Sequence, residues 1–156
     1  MRTILTVAVS VMLLVAPSKT HEPDFTKGIS DVKVCMASEN LDSLDGLKAN
    51  KEARTAEEKC FIGCLMKFVE VLNSDGQYDV ALFKEHINRS PDLAMDQQKK
   101  AALLEVADSC AGKASACSGH CECGAVVANC LAEGMEAKGE ETIYDLLEKI
   151  FAKMDA

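Results

Sequence analysis

The sequence predicts an all-α fold, in which six or seven short helices form one compact domain stapled by disulfides. Three observations indicate this class. The chain has three prolines and no tryptophan, and it is rich in Ala, Leu, Glu, Lys and Met, which favour helix. Apolar residues recur at helical spacing, and no strand pattern stands out. The chain also contains eight cysteines, an even number that indicates disulfides in an oxidising compartment.

The first twenty residues predict a secretory signal peptide. Arg2 precedes an apolar run over residues 4–16, which is shorter than the roughly 20 residues needed to span a bilayer. Small residues place the cleavage site within residues 18–20, and a buried helix or a membrane anchor is the alternative. Residues 21–156 are then a single secreted, extracellular domain, and no later segment is apolar for long enough to insert into a membrane.

The mature chain is strongly acidic. Of its 17 basic residues, Arg2 and Lys19 belong to the predicted signal peptide, which leaves 15 against 25 acidic residues, a net charge of −10. A surface of this charge argues against nucleic acid as a partner. It is typical of a protein that stays soluble and monomeric, or at most weakly dimeric, at high concentration.

Capping signals and apolar periodicity define the helices of the first half. A first helix is predicted over residues 24–37, and a short one over residues 43–49. The clearest begins at Thr55, where Glu58 three residues later completes a capping box, and continues to residue 72. The turn residues of "NSDG" at 73–76 then end it.

The second half predicts four further helices. One covers residues 79–87, and another starts at Pro91, a favoured first helical residue, and ends near residue 111 before Gly112. A sixth covers residues 123–135. The last, over residues 140–154, is amphipathic, and its apolar face consists of Ile143, Leu146, Leu147, Ile150 and Phe151.

The cysteine positions indicate links between helices. Cys60 and Cys64 lie one turn apart on one face of a helix, so each is expected to reach a different neighbouring helix. Cys110 and Cys130 could join the two helices in which they lie. Eight cysteines allow 105 pairings, so spacing alone leaves the connectivity open.

Six of the cysteines carry a resemblance to a known family. The gaps between them are 24, 3, 45, 10 and 8 residues, and the gaps of three and eight are the diagnostic ones. This spacing resembles the six-cysteine pattern of the insect pheromone- and general-odorant-binding proteins, an all-α family whose members enclose an apolar cavity. The resemblance covers the whole mature chain. The six residues are Cys35, Cys60, Cys64, Cys110, Cys121 and Cys130.

The resemblance implies the interlocked pairing Cys35–Cys64, Cys60–Cys121 and Cys110–Cys130. Two cysteines, Cys117 and Cys123, depart from the six-cysteine pattern. We expect these two to form a fourth disulfide that closes a small loop around Gly119.

The resemblance further implies a carrier without a cofactor, which binds small hydrophobic ligands such as odorants, pheromones or other lipid-like molecules. Seven methionines and few aromatic residues are typical of a lining that adapts to flexible aliphatic chains. The alternative is that the same residues form an ordinary filled core. The candidate lining consists of Leu65, Phe68, Val69, Leu72, Phe83, Ile87, Leu103, Leu104, Val127 and Phe151, with Tyr78, Tyr144 and Asn129 as polar groups that orient the ligand.

Two further questions stay open at this stage. The last helix either packs permanently on the outside or, as in some relatives, covers the cavity in a pH-dependent way, with Phe151 and Met154 at the mouth and His86 as a possible sensor. The protein is either a ligand carrier, with a membrane receptor as a partner by family analogy, or a secreted binder of proteins or amines on the same scaffold. A purely structural protein would have no cavity.

Metal and catalytic sites are not predicted. "CSGHCEC" at 117–123 has the residue types of a zinc site, but ligation by the adjacent His120 and Cys121 is awkward, and paired cysteines leave few thiolates. His120 is instead expected to be a solvated loop residue. No nucleophile elbow exists, and the histidines His21, His86 and His120 are scattered, so we expect no enzyme activity.

Peptide mapping under non-reducing conditions tests the cysteine frame. We expect four disulfides, no free thiol, and a peptide in which Cys117 is linked to Cys123. Two free thiols at these positions would contradict the fourth disulfide.

Overall fold

The structure, a computed structural model, describes residues 25–156, and the all-α class is confirmed. The predicted signal peptide lies outside the described residues. Within them, the only β-bridge joins Leu72 and Tyr78. The eight helices are α1 (Thr26–Ser38), α2 (Asp45–Asn50), α3 (Ala56–Phe68), α4 (Val80–Arg89), α5 (Pro91–Ala94), α6 (Gln97–Ala114), α7 (Gly119–Ala137) and α8 (Ile143–Met154).

Helix α3 begins where the sequence predicts and ends earlier. The Thr55 hydroxyl accepts a hydrogen bond from the Glu58 amide, and the Glu58 carboxylate accepts one from the Thr55 amide, which completes the capping box. The predicted end at residue 72 is wrong, because Glu70 has a left-handed backbone with φ of 55° that breaks the helix after Phe68. The following residues turn inward, and Leu72 is buried.

The predicted helix over residues 91–111 is two helices, which raises the total to eight. Pro91 is the first residue of α5, as predicted, but this helix ends at Ala94. The Asp96 side chain then accepts a hydrogen bond from the Lys99 amide and caps a new helix, α6. Gly112 does not end this helix, which continues to Ala114.

Helix α7 begins four residues earlier than the predicted position 123. Gly119, its first residue, has φ of 73°, a conformation that glycine adopts without strain, and it allows the chain to enter the helix directly after Ser118. His120 therefore lies in the first turn of α7. The prediction that it is a solvated loop residue is wrong.

The pair α3 and α7 packs most extensively of all the helices and occupies the centre of the core. The two backbones meet at Gly63 and Gly124, both buried. A Cβ atom on Gly124 would lie 2.3 Å from the Gly63 Cα, and one on Gly63 would lie 2.0 Å from the His120 carbonyl oxygen. Only glycine allows this approach.

Four disulfides connect the elements around this pair. Three have the pairing that the family resemblance implies, and the fourth joins the two additional cysteines, as expected. Two of the disulfides involve α3: Cys35–Cys64 joins it to α1, and Cys60–Cys121 joins it to α7. Cys110–Cys130 joins α6 to α7. Cys117–Cys123 closes the loop that leads into α7, and none of the cysteines is free.

The glycine contact can be tested with a matched pair of variants. Gly124→Ala is expected to lower the free energy of unfolding by about 1–3 kcal/mol, because the new methyl group overlaps the α3 backbone. Gly112→Ala is the control, since nothing lies within 4 Å of its Cβ position and the helix favours alanine. Urea unfolding of both variants measures the difference. Equal stabilities would contradict the close contact.

Candidate functional site

The predicted lining residues belong, with one exception, to a single hydrophobic cluster that spans α3, α4, α6, α7 and α8. Helix α4 contributes Phe83 and Ile87 to it, both buried, and Ile87 is 0% exposed. The buried residues of the set are Leu65, Leu72, Phe83, Ile87, Val127 and Phe151, and the partly buried ones are Val69, Leu103 and Leu104.

The exception is Phe68, which the structure places at the surface. Its side chain is 42% exposed, and the Lys27 ammonium group lies 5.8 Å from the centre of its ring. Phe68 is the last residue of α3, where the helix leaves the core. Helical periodicity alone placed it on the same face as Leu65.

The polar groups near the cluster are hydrogen-bonded within the protein. The Tyr78 hydroxyl donates to the Ala107 carbonyl at 2.7 Å, and the Tyr144 hydroxyl donates to the Asn129 side-chain oxygen at 2.6 Å. Burial raises the pKa of Tyr144 to about 12. It also raises the pKa of Tyr78 well above the usual value of a phenol. Both phenols are therefore neutral donors at physiological pH.

Two depressions lie next to this cluster. A narrow cleft of about 10 Å³, enough for about one water molecule, lies between α2 and α8, and its walls include Leu47, Tyr144 and Phe151. A shallow groove of about 530 Å³ lies on α3 and α7, where Arg54 and Asn129 contribute to its walls. Of the ten predicted lining residues, only Phe151 contributes to either depression.

Helix α4 is held at its outer surface by charged groups. The Glu70 carboxylate contacts His86 Nδ1 at 3.0 Å and also the Arg89 guanidinium group. The hydrogen bond with His86 lowers the pKa of Glu70. Lys84 pairs with Asp108 of α6 at 2.8 Å. His86, considered from sequence as a sensor for the last helix, thus contacts the loop after α3.

Helix α8 lies with its apolar face on the protein, and its buried residues include Ile150 and Phe151. Ion pairs connect it to the region of α2: Lys51 contacts Asp145 and Glu148, both at 3.1 Å, and Lys48 contacts Asp155 at 2.8 Å. The capping box formed by Thr142 and Asp145 starts the helix.

The cysteines of "CSGHCEC" carry no thiolate in this structure, because Cys117 is bonded to Cys123 and Cys121 to Cys60. His120 is partly buried, and its Nε2 lies 3.2 Å from a carboxylate oxygen of Glu39. Sequence reasoning missed this pair. The two residues lie 81 positions apart, and no local pattern relates them.

Among residues 25–156, no helix combines the length and the apolar character that crossing a membrane requires. The helical bundle, its four disulfides and its apolar cluster define a small, disulfide-stapled all-α scaffold. The model of the PBP/GOBP family matches residues 18–134, most of the chain. The protein belongs to this family, whose members are binding and carrier proteins rather than enzymes.

A solved structure supports the same fold. The odorant-binding protein dmelOBP28a from Drosophila melanogaster is similar with a TM-score of 0.58 at 23% sequence identity. The match covers 72% of this chain and 93% of the Drosophila protein. No curated protein matches the chain significantly. The family match ends at residue 134, so α8 lies beyond it.

The capping box at the start of α8 is expected to make the free energy of unfolding depend on pH. Hydrogen bonds from the Thr142 amide and hydroxyl, together with Lys51, lower the pKa of Asp145 from 3.8 to about 2. The contribution of the Asp145 carboxylate to the free energy of unfolding is therefore complete above about pH 4 and is lost as the pH falls toward 2. Asp145→Asn is expected to lower the free energy of unfolding by about 1 kcal/mol at pH 7.

Chemical unfolding between pH 7 and pH 2 measures this effect. The difference between wild type and Asp145→Asn should shrink below pH 4. Glu148→Gln is the control, because Glu148 also contacts Lys51 but does not cap the helix. A difference that stays constant down to pH 2 would contradict the assignment.

Proposed function

We propose that this protein is a secreted carrier that binds small hydrophobic molecules among the side chains of its apolar cluster. The observation that carries the proposal is that nine of the ten candidate lining residues belong to one cluster, in a chain of the PBP/GOBP family. Transfer of apolar ligand surface out of water supplies the binding energy, at roughly 25 cal/mol per Å² before entropic costs. No catalytic step is part of this function.

The ligand class follows from the residues of the cluster. Aromatic residues make up 4% of the chain, and the buried set is mainly aliphatic, with Met66 and Met135 among its members. Methionine side chains adapt to irregular shapes. We therefore favour flexible aliphatic alcohols, acetates or fatty acids over rigid aromatic ligands.

The boundary between α4 and α6 is the proposed path for the ligand. Leu103 and Leu104 of α6 are only partly buried and pack against the cluster, and α4 contacts α6 through the pair of Lys84 and Asp108. The outer surface of α4 is held by the ion pairs of Glu70 and Lys84, and exposed pairs of this kind contribute little each. Movement of α4 would open the cluster without breaking a disulfide, since α4 contains no cysteine.

Secretion is part of the proposal. The apolar run after Arg2 is typical of a signal peptide, and four disulfides form and persist in extracellular compartments. By family analogy, the proposal includes a membrane receptor as a partner. The acidic surface favours a monomer or a weak dimer.

A fluorescent apolar probe tests the carrier function. Delipidated protein should take up the probe, and long-chain alcohols, acetates or fatty acids should displace it at micromolar concentrations. Leu103→Gln and Leu104→Gln, made separately, should each weaken probe binding about tenfold or more, because a polar amide replaces apolar contact surface.

Leu146→Gln is the matched control, since Leu146 is an exposed leucine of α8. It should leave probe binding unchanged. No uptake by the delipidated wild type would overturn the proposal and favour a secreted binder of proteins or amines on the same scaffold.

A further inference from the structure

The disulfide Cys60–Cys121 differs from the other three in its exposure. Both of its cysteines are partly exposed. In each of the other disulfides at least one cysteine is buried: Cys35, Cys110 and Cys123 are each 0% exposed. A reductant therefore has better access to Cys60–Cys121 than to the other three bonds.

Two polar side chains lie directly against this disulfide. His120 Nε2 is 3.5 Å from the Cys121 sulfur and 3.2 Å from a carboxylate oxygen of Glu39. The potential ligand atoms of Glu39, Cys60, His120 and Cys121 all lie within 4.8 Å of one another. Among residues 25–156, this is the only group of three or more metal-ligand side chains that converge so closely.

The position of Cys121 favours cleavage of the bond. Cys121 is the third residue of α7, a helix of 19 residues, and the free amides at a helix N-terminus stabilise a thiolate. A well-stabilised thiolate is a good leaving group in thiol–disulfide exchange. An external thiolate that attacks the Cys60 sulfur would therefore expel Cys121 readily.

The surrounding structure keeps the two cysteines together after reduction. The backbones of α3 and α7 touch at Gly63 and Gly124, one turn beyond Cys60 and Cys121 along their helices. The other three disulfides connect the neighbouring elements and do not involve Cys60 or Cys121. Two thiolates that bind one zinc ion lie about 3.8 Å apart, as follows from Zn–S bonds of about 2.3 Å in tetrahedral geometry. The Cα atoms of Cys60 and Cys121 lie 3.8 Å apart, so this separation of the sulfurs requires side-chain rotation but no movement of the helices.

We propose that Cys60–Cys121 is a selectively reducible disulfide that masks a zinc site formed by Cys60, Cys121, His120 and Glu39. Two thiolates, one imidazole and one carboxylate are a ligand set that zinc accepts. The adjacency of His120 and Cys121, which counts against the site from sequence, does not separate their ligand atoms: the Nε2 and the sulfur lie 3.5 Å apart, close to the roughly 3.5 Å between N and S ligands in a tetrahedral zinc site. In the oxidised protein the two sulfurs are bonded to each other and are not available as thiolates. None of the four residues belongs to the proposed ligand lining.

The opening reaction needs a dithiol reductant. Its first thiolate attacks the Cys60 sulfur, the Cys60–Cys121 bond breaks, and its electron pair leaves with Cys121 as a thiolate. The second thiolate of the reductant then attacks the first sulfur of the reductant, which is bonded to Cys60 in the mixed disulfide, and releases the Cys60 thiolate. The dithiol is oxidised to a disulfide, its two protons pass to solvent, and the protein gains two electrons.

The first experiment measures the selectivity of reduction. Native protein is treated with increasing dithiothreitol, quenched with iodoacetamide and mapped by mass spectrometry. We expect Cys60 and Cys121 to be alkylated first, while the other six cysteines stay paired. Earlier opening of another disulfide, or simultaneous opening of all four, would overturn the proposal.

The second experiment measures metal binding with Co²⁺ as the spectroscopic probe. Selectively reduced protein, freed of reductant under nitrogen, should bind one equivalent of Co²⁺. It should show the visible absorption of a tetrahedral site and a thiolate charge-transfer band, and Zn²⁺ should abolish both. Oxidised protein should show neither. Glu39→Gln should weaken Co²⁺ binding about tenfold or more, as for other changes around metal sites.

The wild-type protein by itself decides the outcome, whether or not the variants fold. Absence of the thiolate band in selectively reduced wild type would overturn the zinc site. The same band in a Cys60→Ser, Cys121→Ser double variant would also overturn it, because other sulfurs would then be the ligands.

Discussion

The close contact between α3 and α7 is the constraint on which the rest of the fold depends. At Gly63 and Gly124 the two backbones approach so closely that no side chain fits between them. The helices that meet there supply much of the core, including Phe61, Ile62 and Val127, each 0% exposed. The other helices pack around this pair, so that a methyl group at the contact would displace the centre of the domain rather than its edge.

The disulfides follow from the same arrangement. Cys60 and Cys64 lie one turn apart on α3, and one bonds α7 while the other bonds α1. Cys130 then connects α7 to α6. Helices α4 and α8 contain no cysteine and are held by apolar packing and by ion pairs at the surface. The ligand path proposed at α4 depends on this arrangement, in which the centre is cross-linked and the helices around it are not.

The candidate ligand site could be predicted from the sequence only in part. Apolar periodicity identifies side chains that face the interior, and this reasoning succeeded for residues such as Leu65, Phe83 and Val127. It failed at Phe68, because the break at Glu70 that turns the chain away is a backbone event without a strong local signal. Periodicity also cannot distinguish a filled core from one that opens for a ligand, since both require the same residues to face inward.

By itself, the sequence determined the helical class, the capping box at Thr55 and the presence of a cysteine frame, because composition, capping and spacing are properties of short segments. Tertiary structure alone decided that Glu39 and His120 meet beside Cys60–Cys121, and that α3 and α7 touch through two glycines. These contacts join residues far apart in the chain. Their geometry depends on how whole helices pack, which no local pattern of residues encodes.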